Sequence, residues 1–185
     1  MRIPRVVFGL VLACVALAPL AKPSHATTLI RQGLDRLAAE NDLVVEGRVL
    51  EIHSYWNGGH SFILTDVTVH PSRVLKGERA GDVTFTVMGG TVGDLTTVIV
   101  SEADLTPGSP YVLFLSRADL PGAVNRLTLR EHSQGVFDVA GGRAFSQARD
   151  VPLAPDAEGR TDVPGGADGL LLDELERQVH AHDGH

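Results

Sequence analysis

Cysteine is almost missing from this chain: among its 185 residues there is one, Cys14, inside the N-terminal apolar segment. Once that segment is removed no thiol remains, which excludes a disulfide framework, a thiol nucleophile and a cysteine-type zinc site. Basic residues are also scarce, 16 Lys plus Arg against 23 Asp plus Glu, for a formal charge of -7. An acidic chain is a poor partner for nucleic acid, whose affinity rests on neutralising phosphates, so no nucleic acid partner is expected. Beyond the N-terminal segment no run approaches the roughly 20 apolar residues that a membrane-spanning helix needs. No membrane partner is expected after that segment is cleaved.

The N-terminal segment has its own logic. "MRIPRVVFGLVLACVALAPLAKPSHATT" opens with Arg2 and Arg5, runs apolar from Val6 to Leu20, and reaches small residues at Ser24 and Ala26. That is the layout of a secretory signal peptide, predicted over 1–26 with Thr27 as the new N-terminus. A membrane anchor is disfavoured because Pro19 and Lys22 interrupt the run. Cys14 stands in "VLAC", loosely a lipobox, but Leu12 is bulky for its place and the apolar stretch continues past the cysteine. Export to the periplasm or the extracellular space is therefore the expectation. Cleavage removes three of the 16 basic residues and no acidic one, leaving 13 against 23 and a formal charge of -10. The remaining 159 residues suit one domain with its own core.

After residue 26, "TTLIRQGLDRLAAEND" places Ile30, Leu34, Leu37 and Ala38 at helical spacing, with Thr27 or Thr28 as N-cap and Gly33 as an interior cost of about 1 kcal/mol. "LVVEGRVLEI" alternates as a half-buried strand does, and "SYWNGGHSF" carries the turn signal Asn57-Gly58-Gly59. "ILTDVTVH" reads as a strand that Pro71 bends or frees from its ladder. "VTFTV" alternates, "YVLFLS" is apolar on both faces as in a strand covered on both sides, and "NRLTLREH", "GVFDV" and "RAFSQ" add short strands. Seven or so strands between Gly/Pro turns predict a mainly β, antiparallel barrel or small sandwich over 27–148. Residues 149–169, with three prolines and many Gly and Asp, read as a surface linker. Residues 170–185 read as a C-terminal amphipathic helix, with Leu171, Leu175 and Val179 in one stripe, followed by a His-rich tail.

"DLVVEGRVLEI…FILTDVTVHPSRVLKGE…DVTFTV…LTPGSPYVLFL" resembles the netrin-like domain family, which includes the tissue inhibitors of metalloproteinases. The counterparts are Val45, Gly47 and Val49, then Val74, Leu75, Lys76 and Gly77, then Gly108, Tyr111, Val112, Leu113 and Phe114, spanning about Asp42 to Ser116. The resemblance implies an exported OB-type barrel that binds another protein. That family's inhibitors chelate a protease zinc through an N-terminal cysteine held by disulfides, a mechanism that does not carry over to a chain beginning at Thr27 without cysteine. The sequence also resembles uncharacterised bacterial exported proteins that share the "VVEGRV…VLKGE…GGTVG" arrangement.

Three stretches are candidate sites. "VMGGTVGDLTTVIV" holds Gly89, Gly90 and Gly93 with Asp94, but it lacks the lysine and the following helix of a phosphate loop. It reads as a turn between strands, with a rim loop that contacts a partner as the functional alternative. "HSYWNGGH" puts Tyr55 and Trp56 beside a hairpin tip, where aromatic rings anchor in a partner's pocket or else cap one end of the barrel. His180, His182 and His185 offer imidazoles for weak Zn²⁺ or Cu²⁺ binding, against the alternative of a solvated end. No G-x-S-x-G, H-E-x-x-H or EF-hand loop occurs. His132 and Ser133 are neighbours in sequence, which says nothing about a nucleophile facing a base. No catalytic residue and no cofactor is assigned. The expectation is an exported, non-catalytic binding module that engages another exported protein, plausibly a protease; a small hydrolase and a periplasmic metal binder are the alternatives.

Overall fold

The computed structural model describes residues 29–182. The expected signal segment with Cys14, the expected Thr27 and Thr28 caps and His185 lie outside them. Ten strands, β1 (Leu43–Trp56), β2 (Ile63–Lys76), β3 (Val83–Met88), β4 (Gly90–Val92), β5 (Leu95–Thr97), β6 (Pro110–Leu120), β7 (Ala123–Thr128), β8 (Val136–Ala140), β9 (Arg143–Ser146) and β10 (Leu170–Leu171), are flanked by helices α1 (Leu34–Glu40) and α2 (Leu172–His180). Every ladder is antiparallel. The main sheet runs β10-β9-β8-β6-β1-β2-β3, β7 pairs with β6 off this path, and β4 and β5 form a separate ribbon. β3 and β7 lie side by side without a shared ladder, so the sheet is antiparallel but not a closed barrel.

The centre of the fold is β6. Tyr111 to Ser116 are all buried, as the doubly apolar "YVLFLS" requires. Its first half lies between β1 and β8, and alternate side chains enter two different cores. Tyr111, Leu113 and Leu115 pack with Val45, Val67 and Phe85 on one face. Val112 and Phe114 pack with Val44, Phe137 and the buried faces of both helices on the other. Phe114 and Phe137 sit with ring centroids 5.7 Å apart, tilted by 52°, within the range of a favourable aromatic pair.

β1 shows register shifts between Val44 and Val45, Glu46 and Gly47, and Val49 and Glu51. Such bulges coil a strand, and here one strand serves two partners, β6 through Arg48 and β2 to its end. Gly47 is needed at the second shift because a Cβ there would stand 2.7 Å from the His70 carbonyl oxygen. Pro71 lies opposite Gly47, and β2 continues through it to Lys76 instead of leaving the ladder. The bulge absorbs the missing N–H that was expected to end the strand.

The helices differ from the sequence expectation at their starts. α1 begins at Leu34 with Gly33 as its extended N-cap, whose carbonyl accepts from Leu37 N at 2.9 Å. Gly33 therefore carries no interior cost, and Ile30 lies before the helix, half exposed, in a bridge to Ala154. Leu34, Leu37 and Ala38 do form the buried stripe. Lys76 at the end of β2 donates to the Ala38 carbonyl at 2.6 Å, placing a cation at the helix C-terminus where the dipole favours it. In α2 only Leu175 and Val179 of the expected stripe are buried; Leu171 is extended, pairs with Arg143 and is 57 % exposed.

Residues 149–169 cross the surface with few regular elements but several ties. Arg31 is buried and donates to Asp156 Oδ2 at 2.7 Å and to the Asp162 carbonyl. Partial burial opposes ionisation of Asp156, yet the Arg160 backbone N–H and the Arg160 and Arg31 guanidinium groups hold its carboxyl below the usual range. Ser146 N donates to the Gly165 carbonyl at 2.6 Å, and Gly165 lies against the Phe137 ring.

Because Phe114 is fully buried against Phe137 and both helices, Phe114→Ala is expected to cost about 3–5 kcal/mol in denaturant unfolding. Leu171→Ala, on an exposed side chain, is expected to stay within about 0.5 kcal/mol. Equal losses in the two variants would show that β6 does not anchor the helices.

Candidate functional site

The glycine-rich stretch after β3 builds an arm. Gly89 pairs with Ile63 through its N–H at 2.9 Å, and its carbonyl accepts from Thr65 Oγ1 at 2.7 Å. Gly90, with φ of 122°, leaves the sheet so close to β2 that a Cβ would overlap Thr65 Oγ1 and Ser54 Oγ. Both glycines are thus a crossing rather than a phosphate cradle. The ribbon β4–β5 then reverses at Gly93 and Asp94, with φ of 60° at Gly93, the glycine-first order of a type II′ turn. The expected chain reversal is there, extended into a two-stranded arm.

Past Thr97 the chain turns back along the open face of the sheet. Ala103 and Leu105 pack on the first core, while Leu95, Val98 and Val100 stand 61 %, 80 % and 86 % exposed. Between arm and sheet lies a trough of about 560 Å³ whose walls include Ile52, Thr65, Gly89, Gly90, Ile99 and Glu102. Gly89 and Gly90, expected as site residues, belong to it as backbone. Gly93 and Asp94, at the arm's tip, do not line it.

Glu102 also forms the wall of two neighbouring openings. A polar cavity of about 380 Å³ runs past Ser101, Asp104, Ser133, Asp138 and Gln147, and a smaller one past Met88, Leu120 and His132. Glu102 Oε2 accepts from His132 Nδ1 at 3.1 Å, and Ser133 N donates to the Ser101 carbonyl at 3.0 Å, fastening the returning chain to the 3-10 turn His132–Gly135. Ser101 and His132 both have positive φ, 62° and 51°, where non-glycine residues are uncommon. Two polar atoms here are buried without a partner in the protein, Glu102 Oε1 and Ser133 Oγ. The other wall is braced: Gln147 exchanges hydrogen bonds with the Asp104 backbone at 2.8 and 2.7 Å and donates to Asp138 Oδ1 at 2.8 Å, and Arg149 reaches Asp138 Oδ2 at 3.2 Å.

The aromatic tip is a separate feature. Tyr55 donates to Asp66 Oδ1 at 3.1 Å, an atom that also accepts from Thr86 Oγ1 at 2.6 Å, and its ring stacks on His53. Trp56 pairs with Ile63, is half-buried, and stacks on His60 with centroids 6.2 Å apart. Asn57 organises the turn, accepting from Ser61 N and Phe62 N and donating to the Pro121 carbonyl at 3.1 Å. Neither Tyr55 nor Trp56 lines the trough or the polar cavity. At the other end of the chain His180 lies 3.6 Å from Glu176 and His182 Nδ1 3.0 Å from the Gln178 carbonyl. Among the described residues no three His, Cys, Asp or Glu side chains converge as a metal site.

Sequence reasoning did not find Glu102, Asp104, Asp138 or Gln147, and His132 and Ser133 drew notice only as neighbours. Glu102 and His132 are 30 residues apart, and no spacing rule joins a loop carboxylate to a 3-10 turn. No protein family model matches the chain, and no curated protein matches it significantly.

Two outcomes follow. The Glu102 hydrogen bond, opposed by desolvation and helped by the charges of Glu102 and Glu131, raises the His132 pKa above its ordinary value. A raised folded value adds stability that is complete below about pH 6.5, the unfolded value, and is lost as pH rises through the folded value. The melting temperature is therefore expected to fall, as pH rises above about 6.5, more steeply in the parent than in His132→Asn, which keeps a residue tolerant of positive φ; matching profiles would remove the pair from the account. Gly90→Ala, strained and overlapping two hydroxyls, is expected to cost more than about 1 kcal/mol in thermal or denaturant unfolding.

Proposed function

We propose that the protein is an exported, non-catalytic binding module whose contact surface is the arm of residues 90–100 and the trough beneath it. One observation carries this reading. Leu95, Val98 and Val100 are strongly exposed on an arm whose strands, among the described residues, pair only with each other, beside a ready-made trough. Clustered exposed apolar side chains of this kind mark interaction sites, and hot spots form where such anchors meet a pocket. The partner is another exported protein, such as a protease. The same reading takes β1-β2-β3 with β6-β7 as an OB-like barrel left open between β3 and β7, whose mouth the arm overhangs; its support is that β1 pairs with both β2 and β6 while β7 lies beside β3.

A second reading, a small hydrolase, has a specific observation of its own: the Glu102–His132 pair adjoins cavities and resembles a base with its orienting carboxylate. It requires turnover of an ester, glycoside or peptide that His132→Asn abolishes.

The binding reading is tested by affinity capture from the organism's exported fraction with residues 27–185 as bait. The expected result is a specific protein captured by the parent and lost with Val98→Asp plus Val100→Asp at an unchanged melting temperature. Trp56→Ala reports whether the aromatic tip shares the contact. A partner retained equally by the arm variant would move the binding surface elsewhere.

A further inference from the structure

We infer that the polar cavity beside Glu102 is a subsite for one basic side chain, Lys or Arg, of the polypeptide that the arm engages. This inference rests on the binding-module reading and names the chemistry of the partner. The cavity walls carry three carboxylates, Glu102, Asp104 and Asp138, against one guanidinium, Arg149. Asp138 is satisfied within the protein, since Gln147 and Arg149 each occupy one of its oxygens. Arg149 is itself committed, reaching the Ser146 carbonyl at 3.0 Å and Asp150 at 3.6 Å besides Asp138. The unmatched negative charge therefore falls on Asp104, which is exposed, and, once His132 has lost its proton, on Glu102, whose Oε2 faces that imidazole at 3.1 Å.

A second observation points to the ligand. Ser133 is 3 % exposed, lines this cavity, and has an Oγ with no partner, as has Glu102 Oε1. A buried acceptor without a donor costs free energy comparable to a lost hydrogen bond, more when it is ionised. An ammonium or guanidinium group brings several donors, no acceptor, and the positive charge that the cavity lacks. A carboxylate or phosphate would be repelled by the same walls. A volume of about 380 Å³ accommodates a basic side chain, and Tyr111 and Val151 supply apolar wall for its methylene stem. Val98 and Val100 lie on the same segment as Glu102 and stand exposed, so the residues flanking such a side chain would meet apolar surface. That continuity favours a side chain of a polypeptide over a free amine.

The test is titration of the cleaved protein, followed by the amide NMR shifts of residues 101–106 and 132–135, with three probes. The probes are the peptide acetyl-Val-Lys-Val-amide, the same peptide with its lysine ε-acetylated, and butylamine. The charged peptide is expected to bind at least tenfold more tightly than the acetylated one and than butylamine. Glu102→Gln is expected to weaken it at least tenfold while the protein stays folded, because the amide oxygen still accepts from His132; Ser133→Ala provides a second variant on the same cavity. Equal binding of the acetylated peptide, or undiminished binding by both variants, would overturn the subsite. Butylamine binding as tightly as the charged peptide would assign the cavity to free amines and overturn the polypeptide source. If the exported partner is still captured by Glu102→Gln and lost only by the arm variant, the binding module stands and this subsite falls.

Discussion

Burial of one strand on both faces is the constraint from which the rest of the structure follows. β6 alternates Tyr111, Leu113 and Leu115 into one core and Val112 and Phe114 into another, so neither face of the sheet can be left to water. The second core exists only because α1 and α2 cover it with Leu37, Ala38, Leu175 and Val179. Elements from the two ends of the described chain are thereby drawn together over the central strand. Arg31 and the segment 149–169 complete this closure, since a buried guanidinium needs Asp156 and Asp162 brought to it.

The helices cover one face of the sheet; the other packs against Leu127 and Leu129 and is roofed in part by chain that has left the ladder. At Gly89 and Gly90 the backbone passes so close to Ser54 and Thr65 that no side chain fits, and it departs at a φ that glycine adopts cheaply. The departure produces an arm with exposed apolar side chains and a returning segment that packs Ala103 and Leu105 inward. Trough and polar cavity are both consequences of that one crossing. They meet at Glu102, where a hydrogen bond to His132 ties the returning segment to the turn that precedes β8.

Polar groups are distributed unevenly around this junction. Asp138 is fully matched by Gln147 and Arg149, and the Asp104 backbone by the same glutamine. Among the described residues Glu102 is matched on one oxygen only, and the Ser133 hydroxyl not at all. One wall is thus rigid and satisfied while the other presents acceptors, the condition under which a ligand with donors gains most from entering. The aromatic tip at Trp56 has the opposite character, its ring stacked on His60 and its turn closed by Asn57.

Local pattern by itself determined the elements whose burial follows a short period. The alternation in β1 and β3, the doubly apolar β6, the turn at Gly93 and the stripe Leu34, Leu37 and Ala38 were all readable, because each depends on neighbours two to four residues away. Element boundaries were not: Gly33 became a cap, Pro71 stayed in its strand and Leu171 turned outward. Gly89 and Gly90 were legible as candidates, but only the position of β2 made them a crossing. The tertiary structure alone assembled Glu102, His132, Ser133 and Asp138, whose residue types carry no shared spacing. Their meeting is set by where an arm folds back over a sheet, and a one-dimensional pattern does not encode that path.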